Sequence, residues 1–319
     1  MAPRPLSPLQ LLTKLTSPHF RSLPTSPPFK PSIPIPSHKM SSQNAPAPWR
    51  QPFLEHISQL SPPTFTLATL HPVPAASAPS LAIPCVPRAR TCVFRGLWAS
   101  LPQNEKNTAP KNPPSFESDL PVFTTDARMD KTSEIFDTAG GTDQTSSGTT
   151  SGGGGPVEAV FWVEATKTQW RIRGHAWVLG PDIDDELSDG ARKVQEVLST
   201  KMRKTGEGEF YFGKEVTAHF GNLSPMMRGS FKAPAPGKPM AYSAGEGEGK
   251  LGETVEDVED QVARKNFRVV VIVPEEVDQV DLSEEVRPRR WLYEYREKGE
   301  SRLAGGEVVD GWEKVELWP

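Results

Sequence analysis

Val157-Glu-Ala-Val-Phe-Trp-Val-Glu164 and Thr168-Gln-Trp-Arg-Ile-Arg-Gly-His-Ala-Trp-Val-Leu179, separated by Ala165-Thr166-Lys167, carry the strongest strand signal in the chain. Both runs are rich in branched and aromatic residues, which suit a pleated, half-buried surface. A three-residue spacer between two such runs is the length of a hairpin loop. Successive strand side chains point to opposite faces. Trp170, Ile172, Gly174, Ala176 and Val178 therefore share one face, and Gln169, Arg171, Arg173, His175 and Trp177 share the other. The first face reads as core. The second is polar enough to meet water or a ligand.

Outward from this hairpin, the same kind of reading finds further strands. Phe65–Leu70, Arg90–Ala99, Val122–Thr125, Phe267–Val273, Trp291–Tyr295 and Trp312–Trp318 are short β-rich runs. Trp49, Phe53, His56, Ile57 and Leu60 recur at helical spacing, ended by Pro62 and Pro63. Arg128–Phe136 reads as a helix after the capping candidates Thr125 and Asp126, and Ala191–Arg203 as another with Val194, Val197 and Leu198 on one side. Strands joined by hairpins, with helices interspersed and no regular βαβ alternation, predict a mainly β fold with helices, an antiparallel barrel rather than a doubly wound sheet.

The chain has 319 residues, a formal net charge of -4 and 34 prolines. No global basic field invites nucleic acid. The strongest apolar run, Val269–Val273, is far too short to cross a bilayer, so no membrane partner is expected. Two cysteines, Cys85 and Cys92, cannot build a disulfide framework and suit a reducing compartment. Residues 1–46 are set apart: rich in Pro and Ser, basic, and free of acidic residues, the first of which is Glu55. That composition fits an organelle transit peptide, a disordered tail, or a coding start that truly lies at Met40. The expected location is cytoplasmic, or mitochondrial if residues 1–40 are a genuine transit peptide. Residues 47–319 are expected to form a single domain, with mobile loops at 101–120, 138–155 and 233–265, where Gly, Pro and small polar residues crowd together.

Chemistry concentrates in Phe123-Thr-Thr-Asp-Ala-Arg-Met-Asp-Lys131. Arg128 and Lys131 stand three apart at a helix start and can point the same way. Cations there oppose the helix dipole at about 0.3–1 kcal/mol each. A bound phosphate would offset that cost, accepting from both cations and from the hydroxyls of Thr124 and Thr125. On residue chemistry alone an ordinary capped helix with solvated charges stands ahead of this. A second basic cluster, Arg287-Pro-Arg-Arg290, leads into an aromatic strand, and Arg228 is a weaker candidate of the same kind. Gly245-Glu-Gly-Glu-Gly-Lys250 imitates a phosphate loop, but Leu251 stands where a magnesium-binding hydroxyl is needed. The histidines and cysteines show no metal-ligand spacing, and no Gly-x-Ser-x-Gly elbow is present.

Taken in order, these segments resemble the pyridoxamine-phosphate-oxidase-like family of FMN-binding split barrels, in particular a subgroup with a Thr-Asp-x-Arg-x-x-Lys motif. The resemblance implies a flavoprotein with FMN as cofactor. It implies that Arg90, Thr91, Cys92 and Val93 run along the flavin, that Thr124, Thr125, Arg128 and Lys131 hold its phosphate, and that Gln169 and Arg290 complete the site. It also implies a homodimer, because the family's FMN lies between two barrels. Arg95, Arg228, Arg287 and Arg289 would then line the substrate side and suit a small anionic molecule. The sequence departs from the true oxidases where they carry a lysine (here Arg95), an arginine-x-histidine pair (here Arg287 and Arg289) and a flavin-packing tryptophan (here Val280). These changes spare the cofactor and put pyridoxamine phosphate itself in doubt. An FMN-dependent oxidoreductase is the leading expectation. A flavin carrier or sensor without turnover, and a scaffold that has lost FMN, are its rivals.

Overall fold

The computed structural model describes residues 45–73, 84–140, 150–242, 249–296 and 301–319. All of them lie in the compact unit Ser32–Pro319. The N-terminal segment to residue 44 and the glycine-rich core of the false phosphate loop fall outside the described residues. In chain order the elements are α1 (Arg50–Ile57), β1 (Thr64–Pro72), β2 (Cys85–Leu97), β3 (Phe116–Ser118), β4 (Pro121–Asp126), α2 (Asp130–Asp137), β5 (Gly152–Val163) and β6 (Thr168–Leu179). There follow α3 (Asp189–Ser199), β7 (Met202–Lys204), α4 (Phe212–Gly221), α5 (Pro225–Ser230), α6 (Gln261–Asn266), β8 (Phe267–Asp281), β9 (Arg289–Tyr295), β10 (Glu307–Val309) and β11 (Trp312–Leu317).

The large sheet is antiparallel throughout, in the order β10-β11-β9-β8-β4-β2-β1-β5-β6, and β6 pairs in addition with β8. The pairings β8-β4-β2-β1-β5-β6-β8 thus close a cycle of strands, with β9, β11 and β10 extending from it. The quoted hairpin is β5 and β6, and its alternation holds. Trp170, Ile172, Ala176 and Val178 belong to the core inside the cycle, whereas Arg171 and Arg173 pair on the outer face with Glu158 and Glu276.

Two apolar clusters explain why β8 is continuously hydrophobic at its start. Val270 and Ile272 point into the strand cycle, while Phe267, Val269 and Val271 pack outward against a second core containing α3 and α4 residues such as Val194, Leu198, Val216 and Phe220. A strand buried on both faces loses the polar half of its alternation. Helix α1 fills the interior with Phe53, whose ring meets Phe94, Phe161 and Trp170 edge-on at 5.7, 5.1 and 5.6 Å. Such edge-to-face contacts add to the area buried by each ring.

Several expectations need correcting in detail. Helix α2 begins at Asp130, not at Arg128, and neither Thr125 nor Asp126 caps it. Its N-cap is Met129, with no side-chain bond. Asp126 instead accepts the Arg128 backbone N–H through Oδ1 at 2.8 Å, forming the turn that precedes the helix. The expected helix Ala191–Arg203 ends at Ser199, and Met202–Lys204 forms β7 against β3. Gly152–Gly155, placed by sequence in a loop, opens β5. There α2 lies close on the strand. A Cβ on Gly155 would stand 2.4 Å from the Ile135 carbonyl oxygen, so only glycine fits. The 101–120 segment contains β3 and buries Asn107 and Ala109, and the 233–265 segment contains the start of α6.

Candidate functional site

Strands β2 and β4 are neighbours in the cycle, yet they register only at Phe94↔Phe123 and Leu97↔Pro121. Arg90, Thr91, Cys92 and Val93 are laddered on the β1 side, to Leu67, Thr66, Phe65 and Thr64. Their other edge has no ladder partner among the described residues. Backbone donors and acceptors left in this way suit a ligand that can bond to them.

Beside this opening stands Lys131. It lies in the first turn of α2 and is only 9% exposed. Its ammonium donates to Thr125 Oγ1 at 3.1 Å and to Met129 Sδ at 2.8 Å. No carboxylate comes within 4.0 Å of it among the described residues. Burial lowers its pKa below the ordinary lysine value, and Arg90 adds to this, while Cys92, Asp126 and Glu134 act in the opposite sense. Across the opening, burial raises the Cys92 thiol, and Lys131 and Arg90 partly oppose that. A buried cation without a direct ion pair is costly to keep. A phosphate would remove the cost, and an ammonium, a hydroxyl and an arginine fork are its usual donors.

Arg90 is held from below. Its Nη2 donates to Glu134 Oε2 at 2.6 Å and its Nη1 contacts Thr69 Oγ1. Glu134 also accepts from Thr69 at 2.5 Å and meets His71 Nδ1 at 3.1 Å. Burial alone would raise the Glu134 carboxyl, but the bonds from Thr69, Arg90 and His71 hold it below its ordinary value. Sequence reasoning missed Thr69, His71 and Glu134. The signal for Glu134 was its place three residues after Lys131, on the same helix face.

The other expected site residues are distributed as follows. Arg128 lies outside the helix and turns away from Lys131. Its guanidinium bonds to Asp126 at 2.7 and 2.9 Å and to the carbonyls of Ala233 and Phe231 at 2.9 and 3.3 Å. The two cations do not point the same way, contrary to the spacing argument, because the helix that would align them starts two residues late. Thr124 is half-buried on β4 beside Thr125. Gln169 pairs with Val280 of β8, and Val280 with Arg290 of β9, so these three form one row. Arg290 forks onto the buried Asp278 at 2.6 and 3.1 Å. Arg289 bonds Glu316 at 2.9 and 3.3 Å and lies over the Trp291 ring, while Arg287 is exposed in the preceding loop.

Arg228 departs most from expectation. It is buried, and its guanidinium donates to the carbonyls of Val255, Gly221 and Glu256 at 2.8, 3.3 and 3.4 Å, so it ties α4, α5 and the following loop together. Arg95 is different. Burial lowers its pKa, its Nε has no hydrogen-bond partner among the described residues, and its Nη2 approaches Met227 Sδ at 3.9 Å. Behind it His219 is fully buried, with its pKa pushed down to about 3 by burial and by Arg95. Sequence reasoning missed this histidine.

Comparison with known proteins fits this geometry. Residues 46–180 match the model of the pyridoxamine 5'-phosphate oxidase FMN-binding domain. The match spans α1 to β6 and so includes Arg90, Thr125, Lys131 and Gln169. It supports FMN as the cofactor, and the buried donor set suits that molecule's phosphate. Among solved structures, a pyridoxamine 5'-phosphate oxidase-related, FMN-binding protein from Nostoc punctiforme is 20% identical, with a TM-score of 0.50, covering 86% of this chain and 100% of that one. This likeness shows the fold. PhzG from Burkholderia lata, solved with tetrahydrophenazine-1-carboxylic acid, is 14% identical with a TM-score of 0.39, covering 84% of this chain and 90% of its own. A comparison with curated proteins gave no match.

Proposed function

We propose that the chain is a split-barrel flavoprotein that binds FMN and acts as an FMN-dependent oxidoreductase on a small anionic substrate. The observation that carries this reading is the buried Lys131 ammonium, bonded to a hydroxyl and a thioether rather than a carboxylate, beside the unpaired edge of β2. Lys131, Thr125 and Arg90 would hold the FMN phosphate, and the free backbone edge of Thr91–Val93 would meet the ring. Bound FMN supplies a hydride acceptor; the protein orients it and excludes side reactions. Arg95, half-buried and without a carboxylate partner among the described residues, supports an anionic substrate.

The site is proposed to need two chains. In the strand cycle β2 and β6 stand three places apart in either direction, which is diametrically opposite. Ile135 of α2 packs near Ala176 of β6. Gln169, in one row with Val280 and Arg290, lies about 23 Å further along that strand at roughly 3.3 Å per residue. Gln169 and Arg290 of one chain therefore do not reach the Lys131 of the same chain. A second copy related by a twofold axis, the commonest oligomer geometry, could supply them.

One observation favours a carrier or sensor without turnover. Three arginines expected on the substrate and cofactor side, Arg228, Arg289 and Arg290, are already bonded to protein carbonyls or carboxylates. Anaerobic mixing of the yellow holo-protein with a panel of small anionic amines and hydroxy acids separates the two. Bleaching of the flavin band by one of them supports the enzyme. A band unchanged across the panel and reducible only by dithionite supports the carrier.

A further inference from the structure

We infer that Glu134 is a positioning residue that makes this site prefer a phosphorylated flavin over riboflavin, by fixing Arg90 beside Lys131. The inference rests on the FMN reading and adds to it a residue that meets no ligand. Glu134 is 1% exposed, on the face of α2 that also carries Lys131 one turn earlier. Its Oε2 accepts from Arg90 Nη2 at 2.6 Å and from Thr69 Oγ1 at 2.5 Å, and its Oε1 meets His71 Nδ1 at 3.1 Å. The carboxylate therefore joins α2 to both β1 and β2.

Arg90 is a long side chain on a strand edge, with much rotational freedom to lose before it can serve an anion. Glu134 and Thr69 take its Nη2 and Nη1 atoms and fix the plane of the guanidinium, while its Nε has no partner among the described residues. Lys131, by contrast, is not within ion-pair distance of Glu134. One carboxylate thus orders one cation and stays beyond ion-pair distance of the other. The local charge stays positive where a phosphate dianion would sit. The partner of a ligand-binding group commonly matters as much as this when it orients metal ligands, where its loss costs about 10- to 100-fold in affinity.

The test uses the full chain, stripped of flavin, as wild type, Glu134→Ala and Glu134→Gln. Each is titrated with FMN and with riboflavin by quenching of flavin fluorescence, and each is melted without ligand. Glu134→Ala should bind FMN about 10- to 100-fold more weakly with riboflavin affinity unchanged. Glu134→Gln keeps an oxygen acceptor for Arg90 and should hold FMN within a few-fold of wild type. Equal loss of both flavins in Glu134→Ala would mean that Glu134 only supports the fold, and the inference fails. Unchanged or tighter FMN binding would mean that Glu134 competes with the phosphate, and it fails again. So does a Glu134→Gln protein as weak as the alanine variant. A wild-type protein that binds neither flavin refutes the FMN reading itself, before any variant is compared.

Discussion

Replacing Lys131 by methionine should move ligand affinity and stability in different directions. Methionine keeps the unbranched apolar stem and removes the ammonium, the part that has only Thr125 and Met129 as partners. This charge is 9% exposed and lacks a carboxylate within 4.0 Å among the described residues, so without a bound anion its burial costs free energy that methionine does not incur. The flavin-free variant should be at least as stable as wild type. With FMN bound, the variant loses a hydrogen bond assisted by two charges, worth about 1.5–3 kcal/mol, which is roughly 10- to 150-fold in Kd. Fluorescence titration gives the affinity and urea unfolding of the flavin-free form gives the stability. The reasoning is refuted if Lys131→Met binds FMN as wild type does, or if its flavin-free form is less stable by more than about 1 kcal/mol, the usual cost of an arbitrary substitution.

Other outcomes follow from the same structure. A chain carrying Lys131→Met and one carrying Gln169→Trp should each bind FMN poorly. Refolded together they should regain roughly a quarter of the sites if the chain pairs as proposed, since half of such dimers would be hybrids and each hybrid would restore one of two; no recovery would contradict the shared site. Burial pushes the Glu215 carboxyl up to about 7. Between about pH 4.5 and 7 the unfolded chain then releases a proton that the folded chain keeps, so stability falls as pH rises. Glu215→Gln should flatten that part of the pH–stability curve and stabilise the protein at pH 8 by up to about 3 kcal/mol; an unchanged curve contradicts the shift. A Cβ on Gly174, at the irregular step between β6 and β8, would lie 2.0 Å from the Val273 carbonyl oxygen. Gly174→Ala should cost about 1–3 kcal/mol in urea unfolding, because backbone cannot move aside as a side chain can.

The strands were easier to read than the helices, for a physical reason. The alternation of Trp170, Ile172, Ala176 and Val178 against Arg171, Arg173 and His175 is a local property of one strand with one wet face. The class of fold followed from it and from the hairpin spacing. Phe267–Val273 gave a strand but not its end, because β8 continues as Pro274–Asp281, where Glu275 meets His175 and Glu276 and Asp278 meet arginines of neighbouring strands. Helix α4 was missed since Phe212, Val216, Ala218 and Phe220 are buried among other helices and β8, which leaves no polar face to set a period. At the candidate site, the closeness of Lys131 to Thr125 could be read from their spacing. Arg128 could not, because its orientation depends on where α2 begins and on carbonyls more than a hundred residues away in sequence. Glu134, His71 and Thr69 meet only once β1, β2 and α2 are assembled. Arg228 looked like a site arginine and is a strut between helices, a difference that composition does not encode.

The central claim is that Lys131, Thr125 and Arg90 grip the phosphate of a riboflavin nucleotide. The most direct measurement is the identity and amount of small molecule released when the purified, unreconstituted protein is denatured, read by mass spectrometry and by the visible spectrum before and after. The account predicts one FMN per chain and two per dimer. A colourless protein that releases no flavin and takes up none from millimolar FMN would contradict it.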